Sequence, residues 1–262
     1  MNAAVRLEWL GQSGFLIGFD GANVLVDAFL APHADRRFPS RLPDGASRSL
    51  DVIACTHEHL DHLDKDCVPE LCASSPGARV VVPEPIVDMV VALGIPPERV
   101  IGMRADRPAK VGGITIHALP AMHGIHPADA YSYGREMSGG LDRFLGFVFE
   151  QGDVSVYHAG DTIPYDGLSQ RLRELRVDIA LLPINGRDAT REALDIVGNM
   201  DADEAAALAI EAGVDVAIPM HYDMFAANPG DPARMVAAVQ RFGGGVNVVV
   251  PARGHQLVYT RP

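Results

Sequence analysis

Cysteine is scarce: Cys55, Cys67 and Cys72 are the only three in 262 residues. An odd number without paired-ligand spacing argues against a disulfide framework and suits buried thiols in a reducing compartment. Long apolar runs are also missing. None approaches the roughly 20 residues that span a bilayer, so no membrane partner is expected. The stretch Met1 to Leu7 lacks the basic-then-apolar order of a secretory leader and passes directly into a strand pattern, which makes a cytoplasmic location the expectation. Positive charge is in short supply, with 22 Lys and Arg against 34 Asp and Glu and a net charge of −12. Proteins that hold a phosphate backbone gain affinity from clustered Lys and Arg, so no nucleic-acid partner is expected. A small anionic substrate stays compatible, because divalent ions can reverse the field locally. There is no internal repeat and no low-complexity tract, and 48% hydrophobic with 21% charged residues is ordinary for a globule. The length suits one large domain spanning residues 1–262. Whether copies of the chain associate as a homo-oligomer is left open by the sequence.

Polar chemistry is concentrated in Thr56-His57-Glu58-His59-Leu60-Asp61-His62, which sets three imidazoles and the Asp61 carboxylate side by side. It follows Val52-Ile53-Ala54-Cys55, an apolar run that reads as a buried strand. The cluster therefore falls on the loop leaving a strand's C-terminal end, where open sheets place their chemistry. In an extended segment the alternate residues His57 and His59 point the same way, and imidazole is the commonest protein ligand for zinc-like metals. Asp61 and His62 can then serve a second ion beside the first. A solvated loop with idle histidines is the plain alternative, and the narrowness of the pattern argues against it.

His57-Glu58-His59-Leu60-Asp61-His62 resembles the H-x-H-x-D-H signature of the metallo-β-lactamase superfamily. The resemblance implies an α/β fold, an αββα sandwich of the metallo-β-lactamase type, with two metals in a cleft and further ligands downstream. His123, in Met122-His123-Gly124-Ile125-His126 after an Ile114–Ala118 strand, is similar to the third motif. His126 competes with it, and His123 is preferred because it lies nearer the strand end. Gly160-Asp161 turns the chain sharply after the Val154–His158 strand and projects a carboxylate, which the superfamily uses to bridge its metals. His221, ending the Val216 strand, matches the fifth motif. The resemblance thus implies His57, His59 and His123 on one ion, Asp61, His62 and His221 on the other, and Asp161 between them. Nitrogen and oxygen ligands without thiolate suit two divalent ions, Zn²⁺ or Mn²⁺. Such a pair would generate a hydroxide nucleophile from water, with Asp61 orienting it or passing its proton.

Finer likenesses point to the L-ascorbate-6-phosphate lactonase branch. They are Trp9-Leu10-Gly11-Gln12-Ser13-Gly14, Asn23-Val24-Leu25-Val26-Asp27, Pro183-Ile184-Asn185-Gly186-Arg187 with Ile196-Val197-Gly198-Asn199-Met200, and Pro219-Met220-His221-Tyr222-Asp223-Met224-Phe225. They imply a lactonase acting on a small, anionic, phosphorylated sugar lactone, with a phosphodiesterase or nuclease of the same fold as the alternative and a metal-stabilised scaffold as the non-enzymatic one. Asn185 and Arg187, after the Val177–Pro183 strand, could hold a phosphate or carboxylate, or merely anchor their loop. Tyr222 either touches substrate or packs. Asp27 either supports the metal-loop histidines or closes its strand in a turn. His117 and His255 are not expected to be ligands. Residues 31–50 read as a long loop over the cleft, and 131–143, with Tyr131, Tyr133 and Arg135, as an insertion beside it.

Around these motifs, strands are expected over Arg6–Leu10, Phe15–Phe19, Asn23–Val26, Arg79–Val82, Val100–Ile101, Leu145–Phe149 and Asn247–Val250. Helices are expected over Lys65–Cys72, Pro85–Leu93, Tyr165–Leu175, from Asp201 to Gly213 behind a capping box, and over Pro232–Phe242. The order of segments suggests two similar halves folded face to face.

Overall fold

The computed structural model describes residues 4–105, 107–123, 141–187, 189–193 and 198–261. Alternation of buried side chains dictates its layers. In β3 (Ala22–Val26) Val24 and Val26 face one cluster of buried residues while Leu25 faces another, and β4 (Val52–Ala54) repeats this with Val52 and Ala54 against Ile53. Strands buried on both faces read as continuous apolar runs, and each face needs its own cover. One face of the first sheet meets the second sheet, and the other meets helices.

The first sheet holds β1 (Ala4–Gly11), β2 (Gly14–Phe19), β3, β4, β5 (Arg79–Pro83) and β6 (Val100–Met103), with β14 (Gln256–Thr260) on its outer edge. The second holds β7 (Ala109–Val111), β8 (Ile114–Pro120), β9 (Leu145–Gln151), β10 (Val154–His158), β11 (Ile179–Pro183), β12 (Val216–Met220) and β13 (Asn247–Val248). The orders are β14-β1-β2-β3-β4-β5-β6 and β13-β12-β11-β10-β9-β8-β7. Each sheet passes from antiparallel pairings, ending at β2–β3 and β9–β10, to parallel ones, β3 to β6 and β10 to β13. The two similar halves expected from segment order are therefore present in topology. Between them Phe15, Ile17, Phe147, Phe149 and Val156 are fully buried. Truncating one of those phenylalanines to Ala would cost about 3–5 kcal/mol.

Helices α1 (Cys67–Ser74) and α2 (Val87–Ala92) cover the first sheet through Val68, Leu71 and Val90. The second half carries α3 (Leu168–Glu174), α4 (Ala189–Glu192), α5 (Ala202–Ala212) and α6 (Pro232–Phe242), and α5 packs on β11 and β12. The capping box forms as expected: Asp201 Oδ1 accepts the backbone N–H groups of Asp203 and Glu204, Glu204 Oε2 accepts that of Asp201, and Gly213 ends α5 at φ +70°. Helix α6 has the expected bounds.

Other boundaries move for local reasons. Helix α1 starts at Cys67 rather than Lys65 because Asp64 Oδ1 accepts the N–H groups of Asp66 and Cys67. Helix α3 starts after Gly167, whose φ of +93° breaks the turn that Tyr165 would have begun. A 3-10 turn, Glu84–Ile86, replaces the start of the helix expected from Pro85. Strands β7 and β14 and helix α4 were not expected, and β13 is shorter than its apolar run.

Candidate metal centre

Chain geometry brings the motif residues to one edge. The His57–His62 loop leaves β4, Asp27 leaves β3, His123 follows β8, Asp161 follows β10 and His221 follows β12. Gly160 makes the turn before Asp161 at φ +61°, and a Cβ there would meet Thr56 Oγ1 and the Leu145 carbonyl oxygen at 2.9 Å each. Only glycine fits that approach.

Three groups of ligand-type atoms converge, each with its atoms within 4.8 Å of one another: His57, His59 and His123; His57, His62 and Asp161; Asp61, His62 and His221. In the first, His59 Nδ1 lies 2.9 Å from His57 Nε2 and 3.2 Å from His123 Nε2. In the last, Asp61 Oδ2 lies 3.2 Å from His221 Nε2 and 3.8 Å from His62 Nε2. Asp161 touches both groups, with Oδ1 3.3 Å from His62 Nε2 and Oδ2 3.3 Å from His221 Nε2 and 3.6 Å from His123 Nε2. His126 lies outside the described residues, as do Tyr131, Tyr133 and Arg135 of the expected insertion.

Partners behind the cluster fix these rings. Asp27 is wholly buried and accepts the Thr56 backbone N–H at 2.8 Å, the Thr56 hydroxyl at 2.6 Å and His62 Nδ1–H at 2.7 Å. Its supporting reading, rather than the turn residue, accounts for that. His123 Nδ1–H donates to the Gly198 carbonyl at 2.8 Å, which leaves Nε2 for the cluster. His158, the last residue of β10, donates Nε2–H to the Ser13 carbonyl at 2.7 Å, so its Nδ1 accepts the Gly160 N–H at 3.2 Å. It braces the turn that presents Asp161.

Burial and charge divide the histidines. Burial drives His57 well below its usual pKa, with His62 and His59 adding to the effect. Burial and His123 likewise bring His59 down to about 4. For His62 and His221 burial pulls the same way, but Asp161 and Asp61 outweigh it, holding His62 well up and His221 at about 9. Against their own burial, Asp61 and Asp161 are held low by His62 and His221. Without an ion, then, one half of the centre is neutral imidazole and the other is a protonated, carboxylate-rich cluster.

Two atoms test whether this set fits metal. Asp161 Oδ1 and His62 Nε2 are buried, face each other at 3.3 Å as an ion pair, and make no aligned hydrogen bond. Buried polar atoms without an aligned partner are costly, and a cation among them removes the cost. The all-nitrogen and oxygen donor set fits Zn²⁺ or Mn²⁺ alike.

The centre opens into a cavity of about 340 Å³. Asn185 lines it, together with His33, Leu60, Phe225 and Asn228. His33 belongs to the long 31–50 loop, which an Arg36–Phe225 bridge ties to the segment after β12. Two sequence expectations are corrected. Arg187 does not line the cavity: its guanidinium is ion-paired with Glu204 of the capping box, the loop-anchoring alternative. Tyr222 stacks on Trp9 with ring centroids 5.2 Å apart and is also absent from the lining, so it packs. Gln12 was not singled out, yet it is fully buried with Nε2 donating to Asp61 Oδ2 at 2.8 Å. His117 pairs with Glu150 at 3.4 Å and His255 is exposed, both away from the centre.

Residues 22–222 match the family profile described as "Beta-lactamase superfamily domain". A UPF0173 metal-dependent hydrolase of Methanopyrus kandleri is 33% identical over 250 residues, covering 94% of this chain and 96% of that protein. Igni18, a metallo hydrolase of the archaeon Ignicoccus hospitalis, is 25% identical in sequence and superimposes with a TM-score of 0.76 over 99% of this chain and 100% of its own. The Escherichia coli protein named "Probable L-ascorbate-6-phosphate lactonase UlaG" is 28% identical over 204 residues, 75% of this chain and 56% of that one. The likeness to the lactonase is thus partial, whereas the likeness to the Methanopyrus kandleri protein covers 94% of this chain. With its motif loop, paired sheets and convergent imidazoles, the chain belongs to the metallo-β-lactamase superfamily, among the UPF0173 metal-dependent hydrolases.

Proposed function

We propose that this hydrolase is a dinuclear enzyme that opens a small lactone. The observation that carries the reading is the position of Asp161, whose two oxygens reach members of both ligand groups at the floor of a cavity about 340 Å³ in volume. His57, His59 and His123 would hold one ion, and Asp61, His62 and His221 the other. Bound there, divalent ions would acidify a water toward neutral pKa and polarise the carbonyl under attack.

The chain's own residues would do the rest. Asp61 lines the cavity with Oδ2 occupied by Gln12, so its other oxygen is the one placed to orient the attacking water. With one oxygen held by Gln12 and the group placed among candidate ligands, that carboxylate is set to orient the water. Asn185 and Asn228 offer amides to ring hydroxyls, and Leu60 and Phe225 give an apolar wall that excludes water. Among the described lining residues there is no Lys or Arg, so an anionic group on the substrate would rely on the ions, His33 and the amides. Acyl chemistry is favoured over phosphodiester chemistry by the small cavity, the net charge of −12 and the partial likeness to a lactonase. The test is hydrolysis by Zn²⁺- and Mn²⁺-loaded protein of a sugar lactone, with and without a phosphate, against a generic phosphodiester. A lactone preference is expected. Faster cleavage of the diester would make the protein a phosphodiesterase instead.

A further inference from the structure

We propose that Gln12 is a positioning residue of the Asp61–His62–His221 cluster, its side-chain amide holding Asp61 where it can receive an ion. The inference rests on the dinuclear reading above. Gln12 occupies the turn between β1 and β2 at φ +52°, a left-handed conformation that costs energy in a residue with a side chain. Two bonds impose it: the Gln12 carbonyl accepts the Trp9 indole N–H at 3.0 Å and the backbone N–H of His221 at 3.0 Å. The turn is therefore locked to the segment that carries a candidate ligand.

The side chain acts on the same cluster. Gln12 Nε2 donates to Asp61 Oδ2 at 2.8 Å. It also lies 3.1 Å from Nε2 and 3.3 Å from Nδ1 of His221. Near-equal distances to both nitrogens of one ring set the amide against the ring and in line with neither lone pair. Once His221 gives up its proton, Nε2 is left with a lone pair for an ion, and Asp61 Oδ2 keeps its second one. Three of the other imidazoles have comparable partners: His62 on Asp27, His123 on the Gly198 carbonyl, and His57 Nδ1 beside Thr56 Oγ1 at 3.1 Å. Asp61 needs such a partner most, since its side chain is 21% exposed against 6% for Asp161 and would otherwise turn to water. Gln12 Oε1, meanwhile, is buried without a hydrogen-bond partner. The amide is placed for its donor, at the expense of its acceptor.

The test is titration of metal-free wild type, Gln12→Leu and Gln12→Met with Co²⁺, following the visible absorption of each equivalent. Both substitutions keep the side chain's bulk and remove the donor. One equivalent should bind with its wild-type constant while the other weakens about 10–100-fold with a changed spectrum. Unchanged binding of both equivalents, or equal weakening of both, would overturn the role of Gln12 while leaving two ions in place. A wild type that binds a single equivalent would overturn the dinuclear reading and this inference together. No substrate enters the titration, so an error in the lactone assignment does not affect it.

Discussion

Replacing Asp27 with Ala should be among the most damaging single changes outside the candidate ligands. The carboxylate accepts three hydrogen bonds in a site with no solvent access, from the Thr56 N–H, the Thr56 hydroxyl and His62 Nδ1–H. The hydroxyl can turn to His57 Nδ1, 3.1 Å away, when that ring carries its proton on Nε2. The backbone N–H and the imidazole N–H cannot, and each buried donor left unpaired costs about 1–3 kcal/mol. His62 also loses one of the carboxylates that hold its proton. Together the loss is about 4 kcal/mol, within the range of about 3–5 kcal/mol for breaking a buried charged pair. Asp27→Asn keeps one acceptor oxygen and tolerates the φ of +46°, so about 1–2 kcal/mol is expected there. Urea unfolding of metal-free protein at pH 7, read from Trp9, the sole tryptophan, measures both. For a slope of about 2–3 kcal/mol/M the Ala variant's midpoint should fall by roughly 1.5 M. An Ala variant within about 1 kcal/mol of wild type, or an Asn variant as unstable as Ala, would refute the acceptor counting behind these values.

Metal loading should expel protons. A raised pKa gives stability in full below the unfolded-chain value near 6.5 and loses it as pH climbs through the folded one, about 9 for His221. Metal-free protein should therefore melt at lower temperature as pH rises across that window. Calorimetric loading at pH 7 in buffers of different ionisation enthalpy should show release of about two protons, from His62 and His221, and none released would contradict the assignment. Asp161→Asn removes the charge that faces both ligand groups, so bound metal should fall below the wild-type content and lactone turnover should be lost; unchanged turnover would take Asp161 out of the centre. Arg187→Ala breaks a partly buried pair with Glu204 and should cost about 0.5–1 kcal/mol while changing KM equally for anionic and neutral substrates. A rise confined to the anionic substrate would return Arg187 to the cavity.

What the sequence made legible were features confined to a few neighbouring residues. Short apolar runs placed most strands, Asp201 and Glu204 placed the start of α5, and closely spaced histidines placed the metal loop. The residues misjudged or overlooked depend on partners far along the chain. Strand β14 needs β1 from the opposite end of the sequence, and the choice between substrate contact and loop anchor for Arg187 turns on Glu204, on another element. Gln12 gives no local signal: its meaning lies in Asp61 and His221, 49 and 209 positions away.

Backbone strain identifies the same site independently. Among the described residues, the non-glycine positions with positive φ are Gln12, Asp27, Arg176 and His221. Three of the four stand at the metal centre, and each follows or joins strands whose register is fixed by the sheets. A glycine there would relieve the strain but remove the group: the amide on Asp61, the carboxylate on His62, the imidazole beside Asp161. Retaining a costly conformation to keep a particular side chain is what a working site requires and a structural turn does not. Composition and motif spacing cannot show this, because left-handed backbone at a residue other than glycine becomes visible only when its partners are in place.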